Sequence, residues 1–93
     1  MSRQDQIGKH ATSIYTDNGY TCIKYHATDV VKFNSEKIIL NSNGWQTTTT
    51  KTRMNQTSNQ FGLGFYVSQK DFEWFVHHNG AIYDYFDGIE LLR

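Results

Sequence analysis

Short stretches of alternating apolar and polar residues, separated by turn-forming residues, occur in both halves of the chain and predict strands. Ile14-Tyr15, the Asp17-Asn18-Gly19 turn and residues 20–27 form a first expected hairpin, because Asn-Gly tolerates the positive φ angles of a tight turn. In its second arm the period of two puts Thr21, Ile23 and Tyr25 on the expected core face, with Tyr20, Cys22, Lys24 and His26 on the other. Residues 29–33 and 37–41 flank Asn34-Ser35-Glu36 as a second hairpin rich in β-branched residues. Further on, residues 65–69, 72–76 and 81–86 read as three strands joined by Lys70-Asp71 and by residues 77–80. Asp87-Gly88 then leads into a last apolar segment at 89–92.

The interval from Gly44 to Gln60 breaks this alternation, because it is almost wholly polar. Thr47 or Thr48 can cap a helix by offering its hydroxyl to an amide two or three residues on. Gly62 and Gly64 can stop it, so a single helix over about 48–61 is expected. Thr50, Met54, Thr57 and Phe61 share one face, on which only Met54 and Phe61 are large and apolar. Thr and Asn are poor helix formers, so docking onto strands must hold this helix, and a polar loop is the competing reading. Strands, one helix and more strands predict an α+β fold. The expected form is a mostly antiparallel sheet of about six to eight short strands with one helix, about 48–61, packed on it.

Composition narrows the class. A chain of 93 residues with 38% hydrophobic and 15% aromatic content is expected to form one domain over 1–93, with a core that draws heavily on rings. Residues 1–9 are polar and are expected to be disordered. Nine basic residues balance nine acidic ones, so no overall field draws the chain to nucleic acid or to an anionic membrane, and any such binding has to be local. Cys22 is the only cysteine, which rules out an internal disulfide or a Cys-rich zinc site and fits a reducing compartment. No apolar run reaches the roughly 18 residues of a membrane span, and the start of the chain lacks a signal-peptide pattern. A cytoplasmic protein with no membrane contact is expected.

Candidate chemistry adds little. His77-His78, His26 and Cys22 lack the spacing of a metal site, and Cys22 and His26 on one strand would stand about 13 Å apart, too far for a nucleophile and its base. Asp84, Asp87 and Glu90 can be read as paired carboxylates or as solubilising charges. Gly62-Leu63-Gly64 lacks the third glycine and the following helix of a phosphate-binding turn. No catalytic residue, metal ligand or cofactor is assigned, and no enzyme is expected. The strongest signal is the polar helix, where Lys51, Asn55 and Asn59 align at i, i+4 with Arg53, Gln56 and Gln60 beside them. Such a ridge of cations and amides can bond a protein partner or a nucleic acid, and Trp45, Lys51, Arg53, Asn55, Gln56 and Asn59 are the candidate binding residues. Rings exposed near Lys24, Lys51 and Arg53 would add base stacking, although two cations on the helix supply little electrostatic affinity. The plain alternative is a solvated helix beside an aromatic core.

Four segments, in order, carry a resemblance: residues 26–31; residues 38–45, ending in Ser42-Asn43-Gly44-Trp45; residues 49–56, with Thr49-Thr50-Lys51-Thr52-Arg53-Met54-Asn55; and residues 61–65. Together they resemble a family of small tailed-bacteriophage proteins, over residues 20–90 and most specifically over 44–56, with residues 1–19 outside the likeness. The resemblance brings no catalytic residues. It implies the cytoplasm of an infected bacterium, where small accessory phage proteins bind and redirect or inhibit host machinery, defence systems included. The expected function is therefore a phage accessory protein that binds a host bacterial protein. A nucleic-acid-binding module is the alternative, and a small hydrolase or nuclease a weaker third. A homodimer through strand edges or aromatic faces is open.

Overall fold

The structure, a computed structural model, describes residues 11–93; the disorder expected of residues 1–9 lies outside the described residues. Its elements are β1 (Thr12–Asp17), β2 (Tyr20–Tyr25), β3 (Thr28–Phe33), β4 (Lys37–Leu40), α1 (Thr48–Phe61), β5 (Phe65–Lys70), β6 (Glu73–His78), β7 (Ala81–Asp84) and β8 (Ile89–Leu92). The fold is α+β with every strand pair antiparallel, and the helix begins and ends where the caps predict. The described strands divide into two sheets, however, in the orders β1-β2-β3-β4-β8 and β5-β6-β7.

Turn chemistry sets the registers. Asn18-Gly19 and Asn79-Gly80 both take positive φ at both positions, the requirement of a two-residue hairpin turn. Because Asn79-Gly80 suffices as the turn, His77 and His78, expected in a loop, belong to β6. The β5–β6 turn is Asp71-Phe72, at φ 53° and 67°, one residue later than the expected Lys70-Asp71. Phe72 is thus at a hairpin tip and outside the strand in which it was expected, and the register Lys70↔Glu73 through Phe65↔His78 turns Trp74 and Val76 inward.

One irregularity enlarges the core. Between β2 and β3 the pairing steps from Ile23↔Val31 to Lys24↔Asp29, leaving Val30 as an extra residue. This bulge lets the adjacent Val30 and Val31 both be buried, where strict alternation would expose one. Around them Ile23, Phe33, Ile38, Leu40, Ile89 and Leu91 of the larger sheet share a core with Phe65, Val67, Trp74 and Val76 of the smaller sheet and with Met54 of α1. Trp74 and Tyr85 meet edge to face at 5.3 Å, and Phe33 and Phe61 at 5.0 Å. Tyr25 packs against the core as expected, but Cys22 on the opposite face is fully buried as well.

The helix starts at Thr47, whose Oγ1 accepts the Thr50 amide at 3.2 Å. It ends at Gly62 in the left-handed conformation, φ 65° and ψ 40°, with the Leu63 amide donating back to the Ser58 carbonyl at 2.9 Å. Only Met54 supplies a large, fully buried apolar side chain along its length. A helix so poor in apolar residues needs other bonds to hold it.

Candidate functional site

Those bonds come from the polar residues themselves. Asn55 Nδ2 donates to the Val67 carbonyl at 3.0 Å while its Oδ1 accepts the Val67 amide at 2.7 Å. One turn on, Ser58 Oγ donates to the Phe65 carbonyl at 2.7 Å and accepts the Phe65 amide at 3.0 Å. Two side chains of α1 therefore engage the edge of β5 as a neighbouring strand would, satisfying four peptide groups that the interior would otherwise leave unpaired. Thr57 Oγ1 donates to the Arg53 carbonyl at 2.7 Å, within the helix. No buried side-chain nitrogen or oxygen among the described residues lacks a partner.

The solvent-facing ridge expected of this helix is accordingly not present as such. Arg53, Asn55 and Gln56 are 8%, 5% and 3% exposed. The Arg53 guanidinium donates through Nε to Thr12 Oγ1 at 3.0 Å and through Nη1 to Gln56 Oε1 at 3.2 Å, and it lies 5.5 Å from the centre of the Tyr25 ring. It therefore fastens the helix to β1 and β2. Lys51 is half-buried and reaches Gln69 Oε1 at 3.4 Å, while Asn59 is exposed near the helix end. Trp45 lies before the opposite end, which starts at Thr48, so about 17 Å of helix separates it from Asn59. The six candidate residues do not form one surface.

What the structure builds around Trp45 is different. Asp87, in the turn before β8, accepts the Ser42 amide at 2.9 Å, the Ser42 hydroxyl at 2.7 Å and the Tyr85 hydroxyl at 2.7 Å on Oδ1, and the Gly44 amide at 2.9 Å on Oδ2. Burial opposes ionisation of this carboxyl. The donors from Ser42, Tyr85 and Gly44 outweigh it and hold the group below the usual carboxylate range. Asn43 and Gly44 take positive φ between these anchors, and the Trp45 amide donates back to the Ser42 carbonyl at 2.9 Å. The indole, 70% exposed, is thus presented on a fastened turn. It walls a cleft of about 370 Å³ whose lining includes Tyr25, His26, Val30 and Thr50. Next to Trp45, Gln46 borders a second depression, shared with Phe72 and Tyr85. Phe72 is 92% exposed and holds a left-handed φ that is unusual for a bulky residue.

Elsewhere the chemistry is sparse. On the outer face of the larger sheet the Tyr15 hydroxyl donates to Asp29 at 2.6 Å, a bond that pushes the phenol's pKa up, and burial raises that of the Cys22 thiol. On the outer face of the smaller sheet Ser68 Oγ and His77 Nε2 are 2.8 Å apart. A nucleophile and base would need a third group to orient the imidazole, and among the described residues no carboxylate is bonded to His77. No cluster of three or more metal-ligating side chains occurs among the described residues, and no described helix is long and apolar enough to cross a membrane.

The family described as Kyanoviridae Gp96 protein matches residues 1–91. The chain belongs to this family. Membership makes it a phage protein and carries the likeness past the expected residues 20–90 to nearly the whole chain. No curated protein and no solved structure matches it. In this Gp96-family chain, Phe72 is a site residue that sequence reasoning missed, and Asp87, read from sequence only as a paired carboxylate or a solubilising charge, instead fastens the Trp45 turn. Phe72 could have been found from the two-residue spacing that centres the hairpin on Asp71-Phe72.

Proposed function

We propose that this phage protein is an accessory factor that acts by binding a host bacterial protein in the infected cell's cytoplasm, without catalysis of its own. The observation that carries the reading is the pair Trp45 and Phe72, the two most exposed rings among the described residues. Both are held on turns with left-handed backbone, and they border neighbouring depressions. Rigid rings left in water are the anchors that protein interfaces enrich, and a cleft beside one of them can take a partner's side chain. The face is therefore Trp45, Phe72 and the Tyr25–His26 cleft, with the exposed part of α1 at most a rim. Nucleic-acid binding has less support, because Arg53, one of the two helix cations, is engaged internally.

The test is capture from infected-host lysate by tagged protein, followed by measured affinity for the captured host protein. Trp45→Ala and Phe72→Gly are each expected to weaken that affinity by at least about 30-fold, as loss of an interface anchor does. Asn59→Ala should change it little. Unchanged affinity in both ring variants, with the fold intact, removes this surface.

A further inference from the structure

A second surface lies between the edges of the two sheets. β7 ends the smaller sheet and β8 ends the larger one, and among the described residues neither is paired on its outer side. In a two-residue hairpin the pair next to the turn, here His78↔Ala81, is the hydrogen-bonded one, so Ile82 and Asp84 direct their peptide groups away from β6. The Arg93 amide donates to the Glu36 carbonyl at 2.8 Å, which by the same alternation turns the peptide groups of Glu90 and Leu92 away from β4. A groove of about 720 Å³ runs along these residues, lined by Tyr83, Asp84, Phe86, Glu90 and Leu92 among others. Ile82, Tyr83, Phe86 and Leu92 are 65%, 45%, 60% and 74% exposed. Exposed edges are ordinarily blunted by lysine, proline or a bulge. β7 and β8 contain no lysine or proline, and their pairings show no register shift.

We propose that this groove takes an extended, basic segment of a protein partner, which adds as a strand to β7, β8 or both. Main-chain bonds to the open edges would supply affinity, and the exposed apolar side chains would take alternate residues of the guest. Charge decides which guest. The lining includes Asp84 and Glu90 and no lysine or arginine. Lys37 reaches Glu90 at 3.3 Å from outside the lining, and Asp84 has no partner among the described residues. A second copy of the chain is disfavoured, because its β7, β8 and β1 bring only Asp84, Glu90 and Asp17 as charged residues. The guest is thus a segment in which Lys or Arg alternates with apolar residues.

The groove adjoins the depression beside Phe72, because Asp84 lines both, and the experiment keeps it apart from the Trp45 cleft. The probe is a fluorescent Val-Lys-Val-Lys-Val-Lys peptide titrated into the whole protein, beside its Val-Glu counterpart and a copy N-methylated at alternate residues. Saturable binding of the lysine peptide is expected, weakened about tenfold or more by each of three changes: the glutamate sequence, N-methylation and Asp84→Lys. Trp45→Ala should leave it unchanged. In amide exchange, Ile82, Asp84, Glu90 and Leu92 should gain protection. No binding, equal binding of the acidic peptide, indifference to N-methylation or to Asp84→Lys, or self-association of the protein through this groove would each overturn the proposal. If Asp84→Lys does not fold, Asp84→Asn replaces it, with a smaller loss expected.

Discussion

The edge of β5 and the edges of β7 and β8 pose the same physical problem and are treated in opposite ways. A strand with one neighbour has a row of peptide groups that need partners. At β5 those partners are Asn55 and Ser58, polar residues on a helix that has little else to bury. At β7 and β8 no described element covers the edge, and apolar side chains remain in water beside it. The lesson concerns polar composition, because a polar helix is not of itself a contact surface. Its amides and hydroxyls can be consumed by the protein's own backbone, while the side better suited to a partner is one that the chain leaves unpaired.

The largest expected effect is at the covered edge. Asn55→Ala leaves the Val67 amide and carbonyl buried without partners, at a cost of ~1–3 kcal/mol for each group, so a loss of about 3 kcal/mol is expected in urea unfolding. A loss below about 0.5 kcal/mol would mean that the Asn55 bonds do not hold the helix to β5.

A smaller loss should follow acidification, and it should distinguish the two regions. Because the Asp87 carboxyl is held below its ordinary value, its contribution is present above the unfolded pKa of about 3.9 and disappears as pH falls through the folded one. Denaturation midpoints measured across that window should fall for the native protein and stay flatter in Asp87→Asn. Amide exchange should show protection lost at Ser42 and Gly44, which Asp87 holds, before it is lost at Val67, whose partner is a neutral amide.

Phe72→Gly should act in the other direction. Glycine takes the left-handed conformation without the strain of ~1–2 kcal/mol that a side chain incurs there, so a gain of about 1 kcal/mol is expected from thermal or chemical unfolding. Together with loss of partner affinity, that gain would mark Phe72 as kept for contact. A destabilised Phe72→Gly would show that the ring serves the fold. Least of all should Ile82→Lys matter to stability, within about 0.5 kcal/mol as for other exposed positions. A cost above 1 kcal/mol would show that the β7 edge is covered and the comparison wrong.

Much of the fold was legible in the chain. Asn18-Gly19 and Asn79-Gly80 mark turns because few other pairs accept positive φ at both positions, and Thr47 and Gly62 bound the helix through their own hydrogen bonds and dihedral freedom. The candidate site was less legible. Lys51, Asn55 and Asn59 do align along the helix, but alignment does not say which way the row faces, and Asn55 faces a strand. Ser42, Gly44 and Asp87 meet only because Asp87 lies in the turn that leads into β8, a strand that pairs with β4 from far along the sequence.

Local chemistry therefore determined the strands, the turns, the helix and its caps, since each depends on residues within one or two turns of one another. Tertiary structure alone decided that the strands part into two sheets, that the polar helix spends its amides on β5, and that Trp45, Phe72 and the β7 and β8 edges are left uncovered among the described residues. Those outcomes depend on which distant groups come within hydrogen-bonding reach and are withdrawn from water, and residues far apart in sequence acquire that property only when the chain has folded.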